Sequence, residues 1–484
     1  MSEKKKSGVE TRNAVGVLTG AASRVVRTAR NLLACALIVA PFLPAVGCMS
    51  PYARRLDSVR RDFYEYGDVD RARENLEKGQ KHASKKEQDV YDLNAASLEL
   101  AAGNIDEAKR KLLSARDNFD AIEEQLVKKA GENLLQYWTD DNMVSYEGED
   151  YEKVMIRVHL AIADLLGSGQ DARAYAHQIA ALQDEIVSRG AIDDPRDSGK
   201  KLNPKTAYPR VPIGPYIEGL LWEETYTDSS EAARSYAKVA QWRPQFKQGK
   251  EDLVRAQTSV HSRPGYGRLY VFAFVGRGPR KEQVNAEVTQ FAMLVADQIF
   301  SATNKYSVPP TLAPVPIPAL VVEEPYVDGV ALDVDGDRVG QTETLADVNE
   351  MAIKQYEATK DQLIARAVVR RVVKKGTVYA AKEIGQVSPW VSLAADVGGV
   401  VWEAAETADT RCWGLLPAKI QVLSVELPAG EHQITFSPCD RNGRNLGATL
   451  TRSVRVDANR NAYTLVNYPD REPIGHVVSS DDAR

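Results

Sequence analysis

The sequence predicts an α+β protein, with an N-terminal helical array, a mixed α/β region and a small antiparallel β domain at the end. Three observations carry this. A Gly/Asn/Asp turn phrase recurs between Ala- and Leu-rich stretches up to about residue 260. The text changes abruptly at Pro264-Gly265-Tyr266-Gly267, after which apolar runs and proline dominate. From residue 419 onward, short segments alternate polar and apolar residues between turn signals. Of the 484 residues, 43% are hydrophobic and 27% charged, which excludes a polytopic membrane protein and a wholly disordered chain. The net charge of -5 offers nucleic acid no electrostatic footprint. The expected boundaries are 1–47 for a signal segment, 48–262 for the helical repeats, 263–410 for the mixed region and 411–484 for the β-rich end.

The first 47 residues stand apart. They hold seven basic residues and two acidic ones, Glu3 and Glu10, a net of +5. An uncharged apolar run over 32–46 follows, interrupted by Pro41 and Pro44 and ending at Gly47-Cys48. A basic stretch, a short apolar core and a small residue before the cut form an export signal. The core is shorter than the roughly 20 residues that a spanning helix needs. Leu43-Pro44-Ala45-Val46-Gly47-Cys48 resembles the bacterial lipobox. That resemblance implies cleavage before Cys48, a diacylglycerol on its thiol and acylation of the new amine. Met49 rather than Asp follows Cys48, which by the same resemblance implies the outer membrane rather than the inner. Removing a leader of +5 from a chain of -5 leaves -10. Such a protein is not drawn to an anionic bilayer by charge, so lipid has to supply the attachment, and stable anchoring takes more than one acyl chain.

The helical half repeats a phrase: Tyr66-Gly67-Asp68 before Ala72 and Leu76, Ala102-Gly103-Asn104 before Ala108 and Leu112, and Leu166-Gly167-Ser168 before Ala172 and Ile179. The last copy runs from Gly219 through Trp222, Ala232 and Tyr236 to Pro244. Each turn ends one helix and caps the next. A small alanine lets two helices approach, an aromatic or leucine fills the space beside it, and proline ends the second helix. Residues 219–244 resemble a tetratricopeptide repeat, and the earlier copies are irregularly spaced. The resemblance implies that the array binds a protein or peptide partner. Trp138, Trp222 and Tyr236 are the candidate contacts. Helical aromatics at this spacing otherwise belong to the core.

Beyond residue 263, residues 268–275 read as a buried strand ending at Gly276-Arg277-Gly278. A helix is expected over 281–301, an extended proline-rich stretch over 308–322, and two strands around Asp335-Gly336-Asp337. Helices over 344–374 and 389–408 follow. Strands over 419–427, 433–437, 448–456 and 462–466 complete the chain, the first two separated by Pro428-Ala429-Gly430. The terminal strands are weakly similar to the PEGA type of surface-associated β-sandwich.

One phrase stands out: Asp409-Thr410-Arg411-Cys412-Trp413-Gly414-Leu415-Leu416-Pro417. With Tyr151-Glu152-Lys153-Val154 and the lipobox, it resembles a family of uncharacterised bacterial lipoproteins with TPR-like helices, over nearly all of the mature chain. Two roles fit Asp409, Arg411 and Trp413. In the structural one, Arg411 pairs with Asp409 or with a buried carboxylate such as Glu152, and Trp413 plugs the sheet against a helix. In the other, Trp and Arg form a partner hot spot.

Cys412 and Cys439 form an even pair in a compartment that permits disulfides. They either bridge or stay as two buried thiols. No metal spacing, nucleophile elbow or phosphate loop is found, and no cofactor is expected. Asp333-Val334-Asp335-Gly336-Asp337 has its glycine too early for a calcium loop and reads as a hairpin turn. The expected function is a non-enzymatic, lipid-anchored scaffold on the periplasmic face of a bacterial membrane, binding an envelope protein or peptide. The alternative is a glycan-binding or glycan-processing protein whose carboxylates Asp140, Asp141, Glu147 and Asp150 surround Trp138.

Overall fold

Helices fill the first half of the chain and strands most of the second. The computed structural model describes residues 51–129, 146–190, 192–193, 201–225, 229–303, 313–384 and 407–483. Cys48, Trp138, Asp140, Asp141 and the expected helix over 389–408, apart from its last two residues, lie outside them.

Nine helices come first among the described residues: α1 (Pro51–Tyr64), α2 (Val69–Lys81), α3 (Gln88–Ala101), α4 (Ile105–Lys129), α5 (Asp150–Leu166), α6 (Ala172–Arg189), α7 (Ile213–Thr225), α8 (Ser229–Trp242) and α9 (Lys247–Gln257). Each packs against its successor in the chain. Local chemistry sets the breaks. Asp68 caps α2 by accepting from the Arg71 amide at 2.9 Å. Gly67 and Gly103 take φ of +64° and +80° in the turns that join the first two pairs. The Asp164 carboxylate of α5 accepts the Asp171 and Ala172 amides at 2.7 and 2.8 Å, so one helix caps the next. Every residue from Tyr151 to Leu166 is buried, which makes α5 the central helix. Among the described residues no helix is long and apolar enough to cross a membrane.

The strands are β1 (Ile192–Asp193), β2 (Lys201–Leu202), β3 (Tyr266–Arg277), β4 (Arg280–Ala286), β5 (Val315–Val321), β6 (Gly329–Val334), β7 (Asp337–Gln341), β8 (Glu343–Asp347), β9 (Pro417–Pro428), β10 (Gly430–Cys439), β11 (Leu450–Val456), β12 (Asn461–Tyr468) and β13 (Val478–Ser479). Two further helices, α10 (Gln290–Thr303) and α11 (Val348–Ile384), lie among them. One sheet has the order β13-β12-β3-β9-β8 and another β11-β10-β6-β7. β3 is covered on both faces, which explains its unbroken apolar run. Tyr270, Phe272 and Phe274 point into a core shared with the helices. Leu269, Val271, Ala273 and Val275 point into a second core, shared with the four-stranded sheet. The result is three layers: helices, sheet, sheet. A third, smaller core joins α10, β5 and the middle of α11 through Phe300, Ile317, Ile364 and Val368.

The α+β character and the helix-first order match expectation, three corrections follow, and the open alternative for the cysteines is decided. The terminal strands are not a separate antiparallel domain. β12 lies parallel to β3, β9 antiparallel to it, and β10 pairs with β6 and β11. Alternation marks a strand but not its distant partner. The helix expected over 281–301 is instead β4 followed by α10, since β4 pairs with β5 along its length. The helix expected from 344 starts at Val348, because Glu343–Asp347 pairs with β9. Cys412 and Cys439 are free thiols, one under the helices and the other at the end of β10 beside β6.

Candidate functional site

The site is built where α1, α3 and α5 face residues 408–416, the irregular segment that leads into β9. The Ala408 amide donates to Gln283 of β4 at 2.8 Å, which fixes one end. Arg411 then folds back on Asp409: its Nε reaches Oδ1 at 2.9 Å and its Nη2 reaches Oδ2 at 2.7 Å. Burial pushes the Asp409 carboxyl up, but this bidentate guanidinium outweighs it and holds the group below the usual range. Arg411 also donates to the Lys86 carbonyl at 3.3 Å, tying the segment to the start of α3.

Trp413 is fully buried. Its amide donates to Glu152 Oε1 at 2.7 Å and its indole Nε1 to Ser97 Oγ at 2.8 Å. Its ring lies 4.8 Å from that of His159, which lies 5.0 Å from Phe274 of β3. Trp413 is therefore wedged between α3 and α5 next to the sheet. Glu152 closes the N-terminus of α5, accepting the Glu149 amide at 2.8 Å and the Tyr146 hydroxyl. Burial raises its pKa, with Lys281 pulling the other way. Lys281 of β4 pairs with Glu149. Burial opposes its charge, but Glu149, Glu152 and Asp409 together hold its pKa above the ordinary value.

Burial governs the protonation of the neighbouring groups. Burial pushes the Cys412 thiol up to about 11, so it is not a thiolate at neutral pH. Burial pushes His159 down to about 4, against a hydrogen bond from Nδ1 to the Met155 carbonyl at 2.8 Å. A small cleft bordered by Ser97, His159, Phe274 and Leu415 lies beside the tryptophan. Among the described residues, no three His, Cys, Asp or Glu side chains are grouped to hold a metal ion.

Asp409, Arg411, Cys412 and Trp413 thus come together, and Glu152 meets Trp413 rather than Arg411. The other candidates sit elsewhere. Tyr236 is a correction: its ring is fully buried against Gly219, where an added Cβ would stand 2.8 Å away, and its hydroxyl donates to Glu223. It fills the α7–α8 contact and presents nothing to a partner. Trp222 is half-buried, with the Arg173 guanidinium 3.9 Å above its ring. Asp150 is paired with Lys205, and burial raises the Glu147 carboxyl.

Four residues that carry no sequence motif also hold this segment: Tyr52 donates to the Cys412 carbonyl at 2.7 Å, Arg60 to the Gly414 carbonyl and Tyr64 to the Leu416 carbonyl at 3.0 Å, and Asn94 accepts the Leu415 amide at 3.1 Å. Only Asn94 left a trace, as a polar residue inside the apolar run of α3. No family model, curated protein or solved structure matches this chain.

Proposed function

We propose that this protein is a non-enzymatic scaffold of the bacterial cell envelope, tethered by lipid on Cys48 and binding a protein or peptide partner through TPR-like helices. The observation that carries this reading is the lipobox-like stretch of sequence that ends at Cys48. The lipobox-like stretch ends three residues before Pro51, where α1 starts. An acylated Cys48 would hold the helical array directly at a bilayer surface, with no long tether between. The TPR-like character rests on the nine helices among the described residues up to Gln257 and on the close approach of Gly219 to Tyr236. In the same reading, the periplasmic face of the outer membrane is the location. Trp222, under Arg173, is the described candidate that remains at the surface for a partner.

Intact mass of the protein taken from its native membrane tests the anchor. A mass beginning at Cys48 with about three acyl chains supports it, in line with the chain arithmetic of stable anchoring. A mass that retains residues 1–47, or lacks lipid, rejects it. Crosslinking in the native envelope tests the scaffold. A partner captured by wild type and lost on Trp222→Ala supports the helical surface, and capture that survives deletion of 60–260 rejects it.

A further inference from the structure

Helix side chains read the main chain of residues 412–416 one after another. Tyr52 Oη donates to the Cys412 carbonyl at 2.7 Å. Glu152 accepts the Trp413 amide at 2.7 Å. Arg60 donates to the Gly414 carbonyl. Asn94 accepts the Leu415 amide at 3.1 Å and donates to the Cys412 carbonyl at 3.4 Å. Tyr64 Oη donates to the Leu416 carbonyl at 3.0 Å. Main-chain groups buried away from water need partners. Strands satisfy one another through a backbone ladder, but here three alternate helices supply the partners from their side chains.

Contacts of this kind are indifferent to most side chains of the segment they hold. Two positions are exceptions. Trp413 fills the space beside Ser97 and His159. At Gly414 an added Cβ would stand 2.7 Å from Leu56 Cδ2. We infer that the inner groove of α1, α3 and α5 is a peptide-binding site, and that residues 412–416 occupy it as a built-in ligand carrying the sequence Trp-Gly-apolar-apolar. The inference rests on the scaffold reading and sharpens it. A partner bearing a segment of that chemistry enters only by displacing the chain's own. Since Pro417 opens β9, displacement also loosens the helices from the sheet.

The test uses the full mature chain and a fluorescent peptide copying residues 408–417, with a scrambled peptide as control. In wild type the groove is filled. In Trp413→Ala the built-in segment is weakened, and the peptide binds at least about tenfold more tightly than to wild type, as expected when a competing state is depopulated. It also raises the melting temperature of the variant by binding only its folded form. Adding Asn94→Ala to the variant weakens peptide binding about tenfold, since the Leu415 and Cys412 main-chain groups lose their reader. Gly414→Ala is the second host, because its defect is a steric clash rather than a cavity. Where either host is poorly folded, refolding with the peptide but not with the scrambled control supports the groove. Absence of saturable binding and of refolding rescue in both hosts overturns it, as does binding that is indifferent to Asn94→Ala. Failure here with envelope crosslinks intact removes the groove and leaves the scaffold. Success here with no crosslinked partner does the reverse.

Discussion

The five-stranded sheet has two buried faces of opposite character. On the helix side, around residues 408–416, Asn94, Glu152, His159 and Arg411 are buried and hydrogen-bonded, and the His159 ring meets Phe274 of β3. Toward the second sheet, the five-stranded sheet meets Leu332, Ile434, Phe436, Val454 and Val456, with hardly a polar side chain among them. The dry face holds by apolar area, which tolerates change of shape better than loss of a partner. The polar face costs more to desolvate, but every member of such a network must be in place for the others to be satisfied. It specifies one arrangement of residues 408–416 and is intolerant of error.

Removing the wedge is expected to break the polar face most severely. Trp413→Ala deletes a fully buried indole and strips Ser97 of its donor. The expected loss is about 3–5 kcal/mol in chemical denaturation, the range for large aromatics cut to alanine. A loss under about 1 kcal/mol would mean that the segment collapses around the gap and that the network does not depend on it.

Acid attacks the same face through His159. Burial lowers its pKa from 6.5 to about 4. The folded state therefore binds this proton less readily than the unfolded chain, and stability is lost as pH falls. The contribution is complete above about 6.5 and declines toward pH 4, by roughly 3 kcal/mol in all for a shift of this size. Denaturation curves at pH 7 and pH 4.5, in wild type and His159→Gln, measure it. Equal acid sensitivity in both would assign the loss to other groups.

Near-isosteric changes sharpen the contrast. Asn94→Leu keeps the bulk but orphans the Leu415 amide, at an expected cost of about 1–3 kcal/mol. Ile434→Val on the dry face removes one methylene from a fully buried side chain and is expected to cost about 0.5–1.5 kcal/mol. If the two costs came out reversed, the division of labour between the faces would fail.

How much of this was legible depended on whether the information was local. Residues 268–275 announced a doubly covered strand because seven apolar residues in a row leave little else. The glycine turns between helices were equally plain, since Gly67 and Gly103 occupy backbone angles that other residues avoid. β4 was misread because Arg-Lys-Glu-Gln carries helix propensity, and pairing with β5 overrode it. The distribution of the last strands over two sheets is set by partners as far away as β3 and β6. At the site, Asp409, Arg411 and Trp413 were visible as a cluster of unusual residues. Tyr52, Arg60, Tyr64 and Asn94 were not, because side chains that grip a main chain need no spacing relative to it.

The smallest expected effect lies in the second sheet, at His432, and it has the opposite sign to His159. Its Nδ1 faces Asp335 Oδ2 at 2.7 Å and its Nε2 faces the Pro428 carbonyl at 2.8 Å. Both partners accept, so the arrangement favours the doubly protonated ring. Partial burial opposes the charge, but Asp335 and the Pro428 carbonyl outweigh it and raise the pKa above 6.5. Asp335 sits at φ +52° in the β6–β7 turn and also accepts the Gln433 amide, so the ion pair clasps that turn to β10. The folded state holds this proton more tightly than the unfolded chain. Its stabilisation is therefore fully present below about pH 6.5 and is lost as pH rises through the raised folded value. The imidazole signals of His432, followed by NMR, should titrate above those of a free histidine and return to the ordinary range in Asp335→Asn. Asp335 is exposed, so salt should shrink the shift. A His432 that titrates below the free value would show that the clasp is made by the neutral ring. Acid would then weaken both faces of the molecule instead of only one.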